Sequence, residues 1–144
     1  MATYGGWGWD ESFVANSDLS AKQYYCVTTG SIATEIKTAT GGSGPGVLGV
    51  LQNDPTQGEE AAVRIFGITK VAACGALHSA GTATAIAYGD YVSCTGSDGR
   101  MRPNVSASSI LHGIALEALA SAAGGTIKVM LFGPGLVISA DNIP

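Results

Sequence analysis

The sequence predicts an all-β fold, a small single-domain barrel or sandwich of antiparallel hairpins with a flexible N-terminal arm and a C-terminal tail. Three observations carry that prediction. Apolar and polar residues alternate with a period of two between Ala61 and Phe66, as expected for a strand with one buried face. Turn-forming groups such as Asn53-Asp54-Pro55 and Gly96 to Gly99 punctuate short apolar runs throughout. The strand-turn-strand grammar of Gly46 to Cys74 also recurs between His112 and Gly133. There Gly113-Ile114 answers Gly49-Val50, and Val129, Leu131, Phe132 and Gly133 answer Val63, Ile65, Phe66 and Gly67, with a spacer two residues longer.

Taken in order, residues 1–17 read as irregular. Gly5, Gly6 and Gly8 oppose a local fold, while Tyr4, Trp7, Trp9 and Phe13 are costly to leave in water. Two readings meet both facts: an arm that orders on a partner, or tryptophans folded back on their own domain. Asp18 to Thr28 is the first predicted strand, from the aromatic and β-branched residues at its end, and Ser31 to Thr38 the second. Ala39 to Gly46 is a Gly-rich loop, but no Lys-Ser or Lys-Thr follows it to make a phosphate cradle. Val47 to Leu51 forms a strand ending at Asn53-Asp54-Pro55. A turn near Gly58 leads to a long strand bent or bulged at Gly67 and resuming from Ile68 to Ala73.

Farther on, Tyr91 to Thr95 is a strand, a turn follows at Gly96 to Gly99, and Arg100-Met101 starts the return. Ala115 to Ala123 carries strong helix formers, yet its flanking glycines favour a strand ending near Ala118 followed by a loop. After Gly133 the chain breaks and then offers Leu136, Val137 and Ile138, which suit either an added strand on a neighbouring subunit or the last strand of its own sheet. The expected organisation is thus an arm (1–17), a β domain (18–133) and a tail (134–144).

Composition narrows function. The chain has 144 residues, 46% hydrophobic but only 12% charged, and a mean hydropathy of +0.27. So little charge implies that part of the surface is covered by another protein. The net charge is −4 and the seven Lys/Arg are scattered, which excludes a basic stripe for nucleic acid. No stretch suits a membrane span or a signal peptide. Cys26, Cys74 and Cys94 are widely spaced and read as buried thiols, with one bridge plus a free thiol as the other possibility.

No constellation points to catalysis. His78 and His112 stand alone, without ligands at metal spacing. Ser43 lies in a Gly/Pro loop rather than a nucleophile elbow, and the Asn104-Val105-Ser106 sequon has meaning only on a secretory route. Glu59-Glu60, Asp90 and Glu117 read as solvated or isolated carboxylates, and Asp54 and Asp98 as turn residues rather than calcium ligands. The expectation is a protein that is not an enzyme, with no cofactor and no metal.

Several stretches resemble a known family. DLSAKQYYCV (Asp18 to Val27), GVLQNDPTQGEEAAVRIFGITKV (Gly49 to Val71), GDYV with the following SDGR (Gly89 to Val92, Ser97 to Arg100) and GIALEAL (Gly113 to Leu119) resemble tailed-phage capsid cement, or head decoration, proteins. The resemblance implies a β-rich structural virion protein, made in the host bacterial cytoplasm, that binds the outer surface of the expanded head and stabilises it. Its partner would be the major capsid protein, and it would act as a homotrimer at threefold or quasi-threefold positions. The family brings no catalytic residues. Trp7, Trp9, Phe13, Leu136, Val137 and Ile138 are the expected partner-binding residues. Other readings stand beside this one: a carbohydrate-binding β-module for adhesion to the host surface, the base of a head fibre, and a small glycosidase or esterase, which would need two close carboxylates or a Ser/His pair in one cleft.

Overall fold

The computed structural model describes residues 8–40, 46–76, 83–94, 98–103 and 110–137, with backbone alone at 110 and 134–137. Trp7 and Ile138 lie outside these residues, as do the side chains of Leu136 and Val137. The described residues hold nine strands and no helix, so the all-β prediction is correct. The strands are β1 (Gly8–Ala15), β2 (Cys26–Thr29), β3 (Glu35–Thr38), β4 (Gly49–Leu51), β5 (Glu60–Cys74), β6 (Tyr91–Ser93), β7 (Arg102–Pro103), β8 (Ile110–Ala115) and β9 (Gly124–Val137).

The organising element is β5, fifteen residues long. Along its first half, β1 pairs on one edge and β4 on the other, since Val63 and Arg64 are partners of both. The strands β3 and β2 link β1 to β4, so β1-β3-β2-β4-β5 closes into a ring. Along the second half β9 takes the edge that β4 leaves, pairing from Phe66↔Phe132 to Cys74↔Gly124. A parallel bridge, Ala73↔Met101, joins the other edge to the residue before β7, closing a second ring through β9, β8, β6 and β7. One strand therefore serves two rings in tandem.

Two cores match the two rings. Ala15, Leu19, Ile36, Ala61 and Val63 fill the first; Val71, Ala73, Val92, Met101, Ile127 and Val129 belong to the second. Neighbouring residues on β2 and β4 divide between them: Cys26 and Val50 face the second core, Val27 and Leu51 the first. This alternation makes the two short strands a wall shared by both cores.

The repeated units adopt the same register. Val50 pairs with Arg64 and Leu51 with Val63, as Ile114 pairs with Met130 and Ala115 with Val129. Gly49 and Gly113 occupy equivalent close approaches. A Cβ on Gly49 would sit 2.2 Å from the Arg64 carbonyl oxygen, and one on Gly113 2.6 Å from that of Met130. Gly67 and Gly133 both have positive φ, at 104° and 97°. Gly67 takes its left-handed φ within a strand that continues through it, and the turn near Gly58 is built as foreseen, with φ at 85°. Asn53 fixes that turn: its Oδ1 accepts from the Ala62 amide, and its Nδ2 donates to the Glu60 carbonyl.

Four expectations need correction. Residues 8–15 of the expected arm are a strand inside the sheet, antiparallel to β5 and parallel to β3, so the hairpin-only, antiparallel picture also fails there. The glycines that argued for irregular chain serve close packing, because a Cβ on Gly8 would meet the Arg64 side chain at 2.6 Å. Residues 18–25 are not strand. The Ser20 amide donates to Asp18 Oδ1, Leu19 plugs the first core, and Tyr24 takes a left-handed φ of 68°. The predicted strand from Ser31 begins only at Glu35. Finally, β9 runs unbroken through Gly133 to Val137 and pairs Leu136 with Leu111 of β8, the intramolecular alternative for that segment.

Candidate partner-binding face

The outward face of β5 should be polar if water covered it, and at Glu60, Ala62 and Arg64 it is not apolar in bulk. Beyond Arg64 its character changes. Phe66 is 49% exposed and Ile68 38%. Their partners across the ladder continue the apolar surface: Phe132 opposite Phe66, and Met130, 38% exposed, opposite Ile68. Ile114 on β8 faces Met130, and Tyr91 on β6 faces Ile114. The Tyr91 ring packs against that of Phe132 with centroids 6.3 Å apart, in the tilted geometry aromatic pairs favour. On the opposite edge Trp9 lies beside Phe66, 63% exposed.

A bulge between Trp9 and Asp10 produces this placement. The ladder passes from Trp9↔Phe66 to Asp10↔Arg64 and skips Ile65, so both residues of β1 stand on the outside. Trp9 Nε1 donates to Glu11 Oε1 at 2.7 Å, leaving the ring face free for contact. The resulting apolar stripe crosses β1, β5, β9, β8 and β6.

Charges rim the stripe. At one end Arg64 holds Asp10 through two hydrogen bonds, Nη2 to Oδ2 at 2.9 Å and Nε to Oδ1, and its Nη1 donates to the Ile68 carbonyl at 2.8 Å. The Arg64 hydrogen bond keeps the Asp10 carboxyl below its ordinary range. At the other end Lys70 and Lys128 face each other across the ladder, and Glu117 meets Lys128 at 3.2 Å. An apolar centre with a polar rim is the anatomy of a protein interface.

Of the sequence-predicted contact residues, Trp9 joins this face. Phe13 does not: it packs half-buried against the first core, because it falls on the inward register of β1. Phe66, Ile68, Tyr91, Met130 and Phe132 were not foreseen as contacts. The signal was present in Phe66, a bulky aromatic at a position alternating with the inward residues, and in Phe132, its counterpart in the repeat.

The candidate catalytic groups serve structure. His112 is buried, its Nδ1 accepts from the Cys94 amide at 3.1 Å, and burial lowers its pKa to about 4. Glu59 accepts from the Thr56 amide, Asp90 from the Ala87 amide and Glu117 from the Lys128 amide. Asp98 binds Arg100 and Arg102, each at 2.8 Å; burial raises its pKa, but the two arginines outweigh that and leave it lowered. Among the described residues no cluster of His, Cys, Asp or Glu is suited to a metal. His78, Ser43 and the sequon lie outside them.

No curated protein sequence matches. Among solved structures, the chain is similar to the N base of head fiber gp8.5 of bacteriophage phi29, at 21% identity and a TM-score of 0.59, over 88% of this chain and 96% of that one. That similarity establishes the shared fold. The sequence profile of the phage cement proteins matches residues 13–131, from inside β1 to the middle of β9, and the chain belongs to the phage cement protein family, structural proteins of the phage capsid.

Proposed function

We propose that this protein docks on the outer surface of an expanded phage head, binds the major capsid protein there, and stabilises the shell. The membership in a cement family carries the proposal. The physical features fit: a chain with 12% charged residues and an exposed aromatic stripe reaches its lowest free energy when covered. A protein that binds only the expanded shell shifts the equilibrium toward it by mass action, and contacts made by several linked copies multiply into avidity. The copies act as a homotrimer at threefold or quasi-threefold positions. Trp7, Trp9 and the 136–138 segment are the proposed contacts with the shell.

The test is co-sedimentation with undecorated expanded heads. Saturable binding at a fixed ratio to capsid subunits is the expected result, with that ratio cut at least tenfold by Trp7→Ala and Trp9→Ala together. Unchanged occupancy would remove the tryptophans from the contact. The similarity to the phi29 head-fiber base supports a second reading, in which the domain also seats a fibre. Retention of a separate fibre protein on decorated but not on bare heads would establish it. A glycan-binding module would instead bind sugars as the free protein.

A further inference from the structure

A threefold assembly demands two different surfaces on each copy. An isologous contact pairs one patch with itself and stops at two, whereas a heterologous contact joins patch to unlike patch and can close a ring. Among the described residues, two exposed apolar patches lie apart from one another. One is the stripe of Phe66, Ile68, Met130 and Tyr91. The other lies at the far end of the first ring, where Val14 of β1 is 39% exposed and Ile32, in the β2–β3 turn, is 59% exposed.

Charge distinguishes them. Val14 sits between Glu35 and Glu60, its partners on β3 and β5. Among the described residues no ion pair neutralises Glu35, Glu59 or Glu60. The stripe instead ends on Lys70 and Lys128, with Glu117 against Lys128. The same polarity holds for the whole chain. Residues 8–65 carry seven carboxylates and three cations, net −4, while residues 66–137 carry three and four, net +1.

We propose that copies of this chain associate head to tail: the acid-rimmed Val14/Ile32 end of one packs on the lysine-rimmed stripe of the next, with Lys70 facing Glu35 or Glu60 of the neighbour. Apolar burial supplies the attraction, and the opposite rims set its direction and exclude the like-with-like arrangement. This identifies the surfaces behind the trimer of the proposed function and rests on that reading for the number of copies.

Two variants test it in solution, without heads. In one, Phe66→Glu and Met130→Glu break the stripe; in the other, Val14→Lys and Ile32→Lys break the far end. All four side chains are exposed, and unchanged circular dichroism melts confirm folding. Light scattering coupled to size exclusion should show wild type as a closed oligomer that loosens with salt, and each variant alone as a monomer. Mixed, the two variants should form a one-to-one pair, because each keeps the half the other lacks. A monomeric wild type, a far-end variant that associates like wild type, or a mixture that stays monomeric would each overturn the proposal. An oligomer that fails to sediment with heads would instead overturn the proposed function and leave this inference standing.

Discussion

His112 shows how one side chain reports on the fold. Buried between the rings with its Nδ1 occupied by the Cys94 amide, it stays neutral down to about pH 4, whereas the unfolded chain takes up a proton near 6.5. Between those values the unfolded state binds more protons, so stability is full above about 6.5 and falls as pH drops toward 4, by up to about 3 kcal/mol. Denaturant titrations across this range should show the slope, and His112→Asn, which keeps an acceptor for the Cys94 amide, should flatten it. The two close-approach glycines make a second prediction. Gly49→Ala and Gly113→Ala push a methyl into a neighbouring backbone and should each cost roughly 2–3 kcal/mol. Gly58→Ala, in an open turn with nothing within 4 Å, carries only the left-handed backbone penalty of roughly 1–2 kcal/mol. A shift in denaturant midpoint ordered otherwise would contradict this account of the repeat.

At the level of elements, β5 and its turn were legible because alternation, Asn53 and the glycines at 58 and 67 all agree. The β1 strand was not, because its bulge breaks the period of two and its glycines look like disorder until Arg64 is seen lying against Gly8. Residues 18–25 failed for the opposite reason: Tyr24 and Tyr25 have strand propensity but act as lids, with Lys22 4.6 Å above the Tyr25 ring. The Arg64 bonds to Asp10 and the Ile68 carbonyl clip β1 to β5. Arg64→Ala should therefore cost roughly 1–2 kcal/mol, discounted because Asp10 is partly exposed. Hydrogen exchange should rise first in the β1 amides, ahead of those of β9. Uniform acceleration would mean that β1 is not a separable unit.

Over the whole molecule, the fold class and family were readable while the partner face was not. Which aromatics point outward depends on the register and on the Trp9/Asp10 bulge, and neither is set by local sequence. The two-ring arrangement also sets thiol chemistry. Cys26 and Cys94 are sealed in the second core, where neighbouring thiol and burial both raise the Cys26 pKa, whereas Cys74 is partly exposed. A thiol reagent should modify at most Cys74 in the native protein and reach the other two only on unfolding. Rapid native reaction at Cys26 or Cys94 would contradict the burial of both thiols in the second core.

The most direct test of the cementing role is the temperature at which packaged genome escapes from expanded heads with and without the protein. The account predicts saturable decoration and release at a clearly higher temperature, with the gain lost when Phe66→Glu and Met130→Glu abolish assembly on the shell. Full decoration with no change in release temperature would contradict it, leaving a protein that sits on the capsid without holding it together.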